Sequence, residues 1–153
     1  MDFSRHVSRR LHEEHMATLV LWGRVQQAFA AGKPDPALMK QAAVALAGEI
    51  GQHFDFEERA LFPLLRAGGE GELADLLAEE HVPIREAGRQ FISLQGKDAP
   101  GTGDAQDLRR LALELAERLA AHVHKEEQSL LPACENLLDE DADRELIGAY
   151  AMG

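Results

Sequence analysis

Apolar residues recur every third or fourth position along four long stretches of the chain, the period of helices that bury one side. The first stripe reads Val7, Leu11, His15, Leu19, Trp22 and Phe29, and the second reads Leu46, Ile50, His53, Glu57, Leu61 and Leu64. Leu73, Leu77, His81, Ile84, Gly88 and Phe91 make the third, and the fourth runs through Leu108, Leu111, Leu115, Leu119, His122, Glu126 and Leu130. Ionisable residues therefore stand inside every apolar stripe. Breakers at Gly32-Lys33-Pro34-Asp35-Pro36, Gly68-Gly69-Glu70-Gly71 and 96–103 separate the stretches, which predicts helices near 4–31, 36–66, 72–95 and 104–137. Asp35 before Pro36 is a cap and first-turn pair, and Asp104 is placed to cap the fourth helix. A short helix near 142–151 follows the acidic turn Asp139-Glu140-Asp141. Pro83 falls inside the third helix, where its missing N–H predicts a kink beside His81.

Short connections between long helices favour antiparallel neighbours, so the expected fold is all-α, an up-down-up-down four-helix bundle forming one domain over residues 1–153. His15 and His53 both stand about 17 residues from the first connection, which at ~1.5 Å per residue puts them at one height. His81 and His122 stand about 15 and about 19 residues from theirs, a mismatch the longer third connection can absorb.

The chain also repeats itself. His53-Phe54-Asp55-Phe56-Glu57-Glu58-Arg59-Ala60-Leu61-Phe62-Pro63 returns as His122-Val123-His124-Lys125-Glu126-Glu127-Gln128-Ser129-Leu130-Leu131-Pro132, sharing H-x-x-x-E-E-x-x-L-F/L-P. A weaker echo precedes each copy, Leu11-His12-Glu13-Glu14-His15 against Leu77-Ala78-Glu79-Glu80-His81. Each half thus supplies one lone histidine and one HxxxE pair.

Composition narrows the function. A formal net charge of −11 over 153 residues argues against nucleic acid, whose phosphates need a clustered basic surface. No apolar run approaches the ~20 residues of a membrane span, and the N-terminus has no signal-like apolar segment, which points to the cytoplasm and away from a membrane partner. Cys134 is the only cysteine; it suits a reducing compartment and reads as a small buried apolar residue. Nothing identifies a protein partner.

Residues four apart on a helix lie about 40° apart around the axis, so His53 with Glu57, and His122 with Glu126, each aim an imidazole and a carboxylate the same way. Taken singly, each histidine reads as a satisfied core residue and each Glu-Glu pair as a solvated edge. Four histidines at matched depth reverse that reading, because burying them with two carboxylates and no cation would cost many kcal/mol. Imidazole and carboxylate without thiolate suit iron or manganese, and six donors exceed the needs of one zinc. They fit two iron ions bridged by Glu57 and Glu126, with an oxygen bridge between the metals.

This order of His, HxxxE, His, HxxxE on four helices resembles the hemerythrin-like domains, also called HHE cation-binding domains, over about residues 4–137. The resemblance implies metal ligands at His15, His53, Glu57, His81, His122 and Glu126. Oxygen-carrying hemerythrins place a further histidine one turn after the third-helix ligand, where this chain has Arg85. With four histidines, two bridging carboxylates and one oxygen bridge, two of the twelve positions on two octahedral irons stay open. The ligand set is similar to that of the di-iron domain of repair-of-iron-centres proteins, whose small cysteine-bearing N-terminal domain has no counterpart here.

These readings converge on a non-haem di-iron protein that binds or senses dioxygen, nitric oxide or peroxide, with two alternatives: a di-iron enzyme acting on peroxide or nitric oxide, or an iron store or donor. Several neighbours read two ways. His12 is either a fifth nitrogen ligand or an exposed residue near the helix start. Arg85 either reaches inward to Glu57 or Glu126 or stays outside, solvated or in a salt bridge between helices. Glu14, Glu58, Glu80 and Glu127 are either surface charges or acceptors for an imidazole N–H. His6 and His124 fall off the stripes and read as surface residues. Trp22, Phe54, Phe56 and Phe62 read as core or helix-contact residues, with the lining of an oxygen channel as the lesser alternative.

Overall fold

In the computed structural model, residues 2–32, 34–98 and 101–152 are described; Lys33, Ala99 and Pro100 of the predicted connections lie outside them. Among the described residues there is no strand, and the helices are α1 (His6–Ala30), α2 (Pro36–Gly48), α3 (Phe62–Ala67), α4 (Gly71–Gln95), α5 (Asp104–Gln128), α6 (Leu130–Leu137) and α7 (Glu140–Met152). Two π-helical segments, Glu49–Phe54 and Glu57–Leu61, join α2 to α3. The arms α1, α2, α4 and α5 close a ring in which α1 packs on α2 and α5, and α4 packs on α2 and α5. This is the antiparallel four-helix bundle that the stripes predict, with a short C-terminal helix. No described helix is long and apolar enough to cross a membrane.

The second and fourth predicted helices are interrupted. Pro63 has no N–H for the carbonyl of Arg59, and Pro132 has none for that of Gln128. Both prolines stand in the first turn of a new helix, α3 and α6, where no intrahelical donor is needed. The two halves meet the break differently. Upstream of Pro63 the chain widens into π turns, and the N–H of Phe62 reaches back to Glu57. Upstream of Pro132 the helix stops at Ser129 (φ −130°, ψ −57°), whose hydroxyl donates to the carbonyl of Lys125 at 2.5 Å. By contrast α4 runs uninterrupted through Pro83.

Asp35 accepts the N–H of Ala37 at 3.0 Å and caps α2 as expected. Asp104 does not cap α5; Gly103, at φ +86°, takes that position, while the Asp104 carboxylate accepts from Gly101 N at 2.6 Å and Lys97 Nζ at 3.1 Å. The start of α1 is capped from the far end of the chain. Asp143 of α7, buried, accepts the N–H groups of His6 and Val7 at 2.8 and 2.9 Å, and Glu135 of α6 accepts those of Ser4 and Arg5 at 2.6 and 2.8 Å. These carboxylates satisfy donors that a helix start otherwise leaves open.

The core divides into two apolar clusters. One gathers Trp22, Phe29, Leu46, Phe54, Phe91 and Leu115 toward the connections of α1 to α2 and α4 to α5. The other gathers Leu11, Phe62, Leu65, Leu77, Leu131 and Cys134 under α3, α6 and α7. Along α1 the chain passes from Leu11 of one cluster through His15 to Leu21 of the other, and along α4 from Leu77 through His81 to Ile84. The polar layer thus lies between two apolar plugs.

Candidate metal centre

All six predicted residues meet in that layer. His15, Glu57, His81 and Glu126 are 0% exposed, His53 1% and His122 3%, so bulk water does not satisfy their polar atoms. They form two groups of donors, His15, His53, Glu57 and Glu126 in one and Glu57, His81, His122 and Glu126 in the other, each within 4.8 Å. Glu57 and Glu126 belong to both, and each divides its oxygens between them. Glu57 Oε2 lies 2.9 Å from His53 Nε2 while its Oε1 lies 3.1 Å from His81 Nε2. Glu126 Oε1 lies 2.9 Å from His15 Nε2, and its Oε2 lies 3.2 Å from His122 Nε2.

Every imidazole turns Nε2 inward because its Nδ1 is occupied outside. The Nδ1–H of His15 donates to Glu127 at 2.7 Å, of His53 to Glu14 at 2.9 Å, of His81 to Glu58 at 2.6 Å and of His122 to Glu80 at 2.8 Å. Each of these glutamates is the chain neighbour of a central residue on its own helix, yet serves the histidine of an adjacent helix. Such a bond fixes the ring and leaves the inner nitrogen free to coordinate. Replacing Glu80 with Gln removes the charge behind His122, and the expected result is metal affinity weaker by about 10–100-fold, read by chelator competition. Unchanged affinity would mean that Glu80 does not support His122.

The chemistry of this donor set calls for cations. Glu126 Oε2 is buried without a hydrogen-bond donor. The inner nitrogens of His81 and His122 face each other at 3.2 Å, and with both Nδ1 atoms engaged by carboxylates, two lone pairs meet unless a proton or a metal ion stands between them. Without metal, protons take part of that role. Burial disfavours charge on His15, but hydrogen bonds to Glu126 and Glu127 outweigh it and push the imidazole up to about 9. His122 is likewise pushed up to about 9, against its burial, first by the charge of Glu126 beside it. His53 rises well above its ordinary value because Glu57 and Glu49 overcome the burial. In return Glu126 is held well below the ordinary carboxylate range, its burial outweighed by the charge of His122 and by the close imidazoles of His122, His15 and His53, of which His15 hydrogen-bonds its Oε1. The residues fit metal ions, which would replace these protons.

The walls are apolar. Phe54 stacks on the His81 ring at 3.8 Å between centroids and 3° between planes, and Phe62 stands 5.6 Å from the same ring. Cys134 stays out of the centre as a buried thiol, pushed up to about 12 first by burial and then by the charges of Glu57 and Glu126.

The residues with two readings now have one. His12 is no donor to the centre: its Nδ1 reaches Glu127 at 2.5 Å. Arg85 does not reach Glu57 or Glu126; its Nη1 donates to Glu58 at 2.5 Å and its guanidinium lies 5.7 Å from the Phe54 centroid. Lys125 pairs with Glu80. His6 and His124 are exposed. Sequence reasoning missed Glu49, whose carboxylate stands 3.6 Å from His53 Nδ1; its place four residues before His53 was the available signal. It also missed Tyr150 of α7, whose hydroxyl donates to Glu14 at 2.5 Å and which no spacing announces.

A family model described as the hemerythrin HHE cation binding domain matches residues 6–134. No curated protein and no solved structure matches the chain.

Proposed function

The chain belongs to the hemerythrin HHE cation-binding domain family, and from that premise we propose that it is a non-haem di-iron protein that binds or senses dioxygen, nitric oxide or peroxide. One observation carries the reading: two groups of four donors share both of their carboxylates. A carboxylate that gives one oxygen to each side suits a pair of ions better than a single one. Nitrogen and oxygen donors without thiolate favour iron over a closed structural zinc site. When bound, the iron pair would supply the redox electrons and a seat for a small oxygen or nitrogen ligand.

The chain's own residues prepare the site. The four inner nitrogens and two carboxylates hold charge in a dry layer, and the four outer glutamates keep each Nδ1 proton in place so that Nε2 remains a donor. Phe54, Phe62 and the two apolar clusters keep water from the layer.

Loading the protein with ferrous iron under anaerobic conditions and desalting it should leave two ions per chain, and air and then nitric oxide should each change the visible spectrum. Retention of one ion, preference for zinc in competition, or a spectrum indifferent to both gases would overturn the proposal.

A further inference from the structure

The outer support of His53 differs from that of the other three histidines. Glu58, Glu80 and Glu127 are fastened by Arg85, Lys125 and His12, all from arms of the bundle. Glu14 is fastened partly from outside the ring, by α7. Its Oε2 accepts from Arg10 at 3.1 Å, and its Oε1 accepts both the His53 Nδ1–H at 2.9 Å and the phenol of Tyr150 at 2.5 Å. The Tyr150 ring stacks on Phe56 at 4.4 Å, with the Arg10 guanidinium 5.5 Å from its centroid. Beside this contact a cleft of about 360 Å³ runs between α1, the second arm and α7, with Glu14, Glu49, Gln52, His53 and Tyr150 among its lining residues. Among the described pockets it is the one that touches a histidine of the centre.

The internal repeat makes this difference interpretable. Glu14 and His53 correspond to Glu80 and His122 in the other half, where Lys125 does the fastening. The donor sets match, but one half is tied to α7 and to a cleft. A phenol bonded to a carboxylate is a charge-assisted bond that limits rotation of that carboxylate, and Glu14, 28% exposed, has a solvent side toward which it can turn. With Glu14 turned away, the Nδ1–H of His53 loses its close acceptor.

We propose that Tyr150 is a positioning residue for His53, and that the docking of α7 through it sets how fast the ion held by His15, His53, Glu57 and Glu126 leaves through the adjoining cleft. The proposal rests on the two-ion reading above. The two halves of the centre then exchange metal at different rates, and only one answers to α7.

Tyr150→Phe removes the hydroxyl while keeping the ring that stacks on Phe56. Wild-type and variant chains, loaded with two ferrous ions, are mixed with excess colorimetric chelator and release is followed by stopped flow. The wild type should release its ions in two phases of one ion each. In Tyr150→Phe one phase should accelerate about 10-fold, the low end of the effect of losing a partner directly behind a ligand, with the other unchanged within about twofold. Lys125→Met, which frees Glu80, should accelerate the opposite phase, an exchange of roles that general loosening of the bundle cannot produce. A single phase in all three proteins, equal acceleration of both phases, or no response to Tyr150→Phe overturns the proposal and leaves the two-ion centre standing. Failure of the wild type to hold two ions overturns both.

Discussion

Alanine at position 126 should cost the protein both ions at once, whereas alanine at position 122 should cost one and alanine at position 124 none. Glu126 gives Oε1 to the side of His15 and His53 at 2.9 and 3.7 Å, and Oε2 to the side of His122 at 3.2 Å. Its removal leaves each group with two imidazoles and a single oxygen of Glu57. His122 serves one group only, and His124 points to solvent. Stability should follow the metal, because an ion bound by the native state alone adds RT ln(1 + [L]/Kd). A further loss of about 3–5 kcal/mol is expected in the metal-free protein, since imidazoliums buried against Glu126 lose their partner. Metal analysis after desalting and unfolding with and without chelator test both effects. Full metal content in Glu126→Ala, or loss from His124→Ala with retention in His122→Ala, would refute the assignment.

Metal-free and metal-loaded protein should respond to pH in opposite directions. Without metal, His15 and His122 are pushed up to about 9 and His53 also stands well above its ordinary value of 6.5. The folded state then holds protons that the unfolded chain has released, so this stabilisation is complete below 6.5 and is lost as pH rises through about 9. Each such histidine contributes a slope of up to about 1.4 kcal/mol per pH unit in that window. Glu126, held well below 4.5, works the other way: its contribution is present above 4.5 and is lost as pH falls further. The metal-free fold should therefore be most stable between these limits and weaker at pH 9. With metal present, ions must displace the same protons, so binding strengthens as pH rises and acid releases the metal. Denaturation midpoints at pH 6 and pH 9, with and without chelator, separate the two. A metal-free protein no less stable at pH 9 than at pH 6 would contradict the origin assigned to the raised imidazoles.

Much of this arrangement is legible in the chain because an internal repeat records it twice. The apolar stripes give the number and register of the arms, and matched depth brings His15, His53, His81 and His122 to one layer with Glu57 and Glu126. Spacing along one helix says nothing about rotation of the next, so it could not tell that Glu14 serves His53 rather than solvent, or that Arg85 stops at Glu58. The π turns escape a reading built on a 3.6-residue period, although Pro63 marks where regular hydrogen bonding has to fail. The caps from Asp143 and Glu135 join positions more than a hundred residues apart and depend on where α6 and α7 dock. No local pattern encodes that.

The crosswise service of the outer glutamates wires each helix to its neighbour. Glu127 on α5 steadies His15 on α1, and Glu14 on α1 steadies His53 in the second arm; Glu58 in that arm steadies His81 on α4, and Glu80 on α4 steadies His122 on α5. The circuit closes on itself. A length change confined to a loop leaves this wiring alone, but one residue inserted within a helix turns a ligand and the glutamate beside it together by about 100°, disabling two stations of the circuit. Drift in such a chain is therefore channelled into its connections, and anyone transplanting the centre into another scaffold must carry over four mutual rotations, not six side chains.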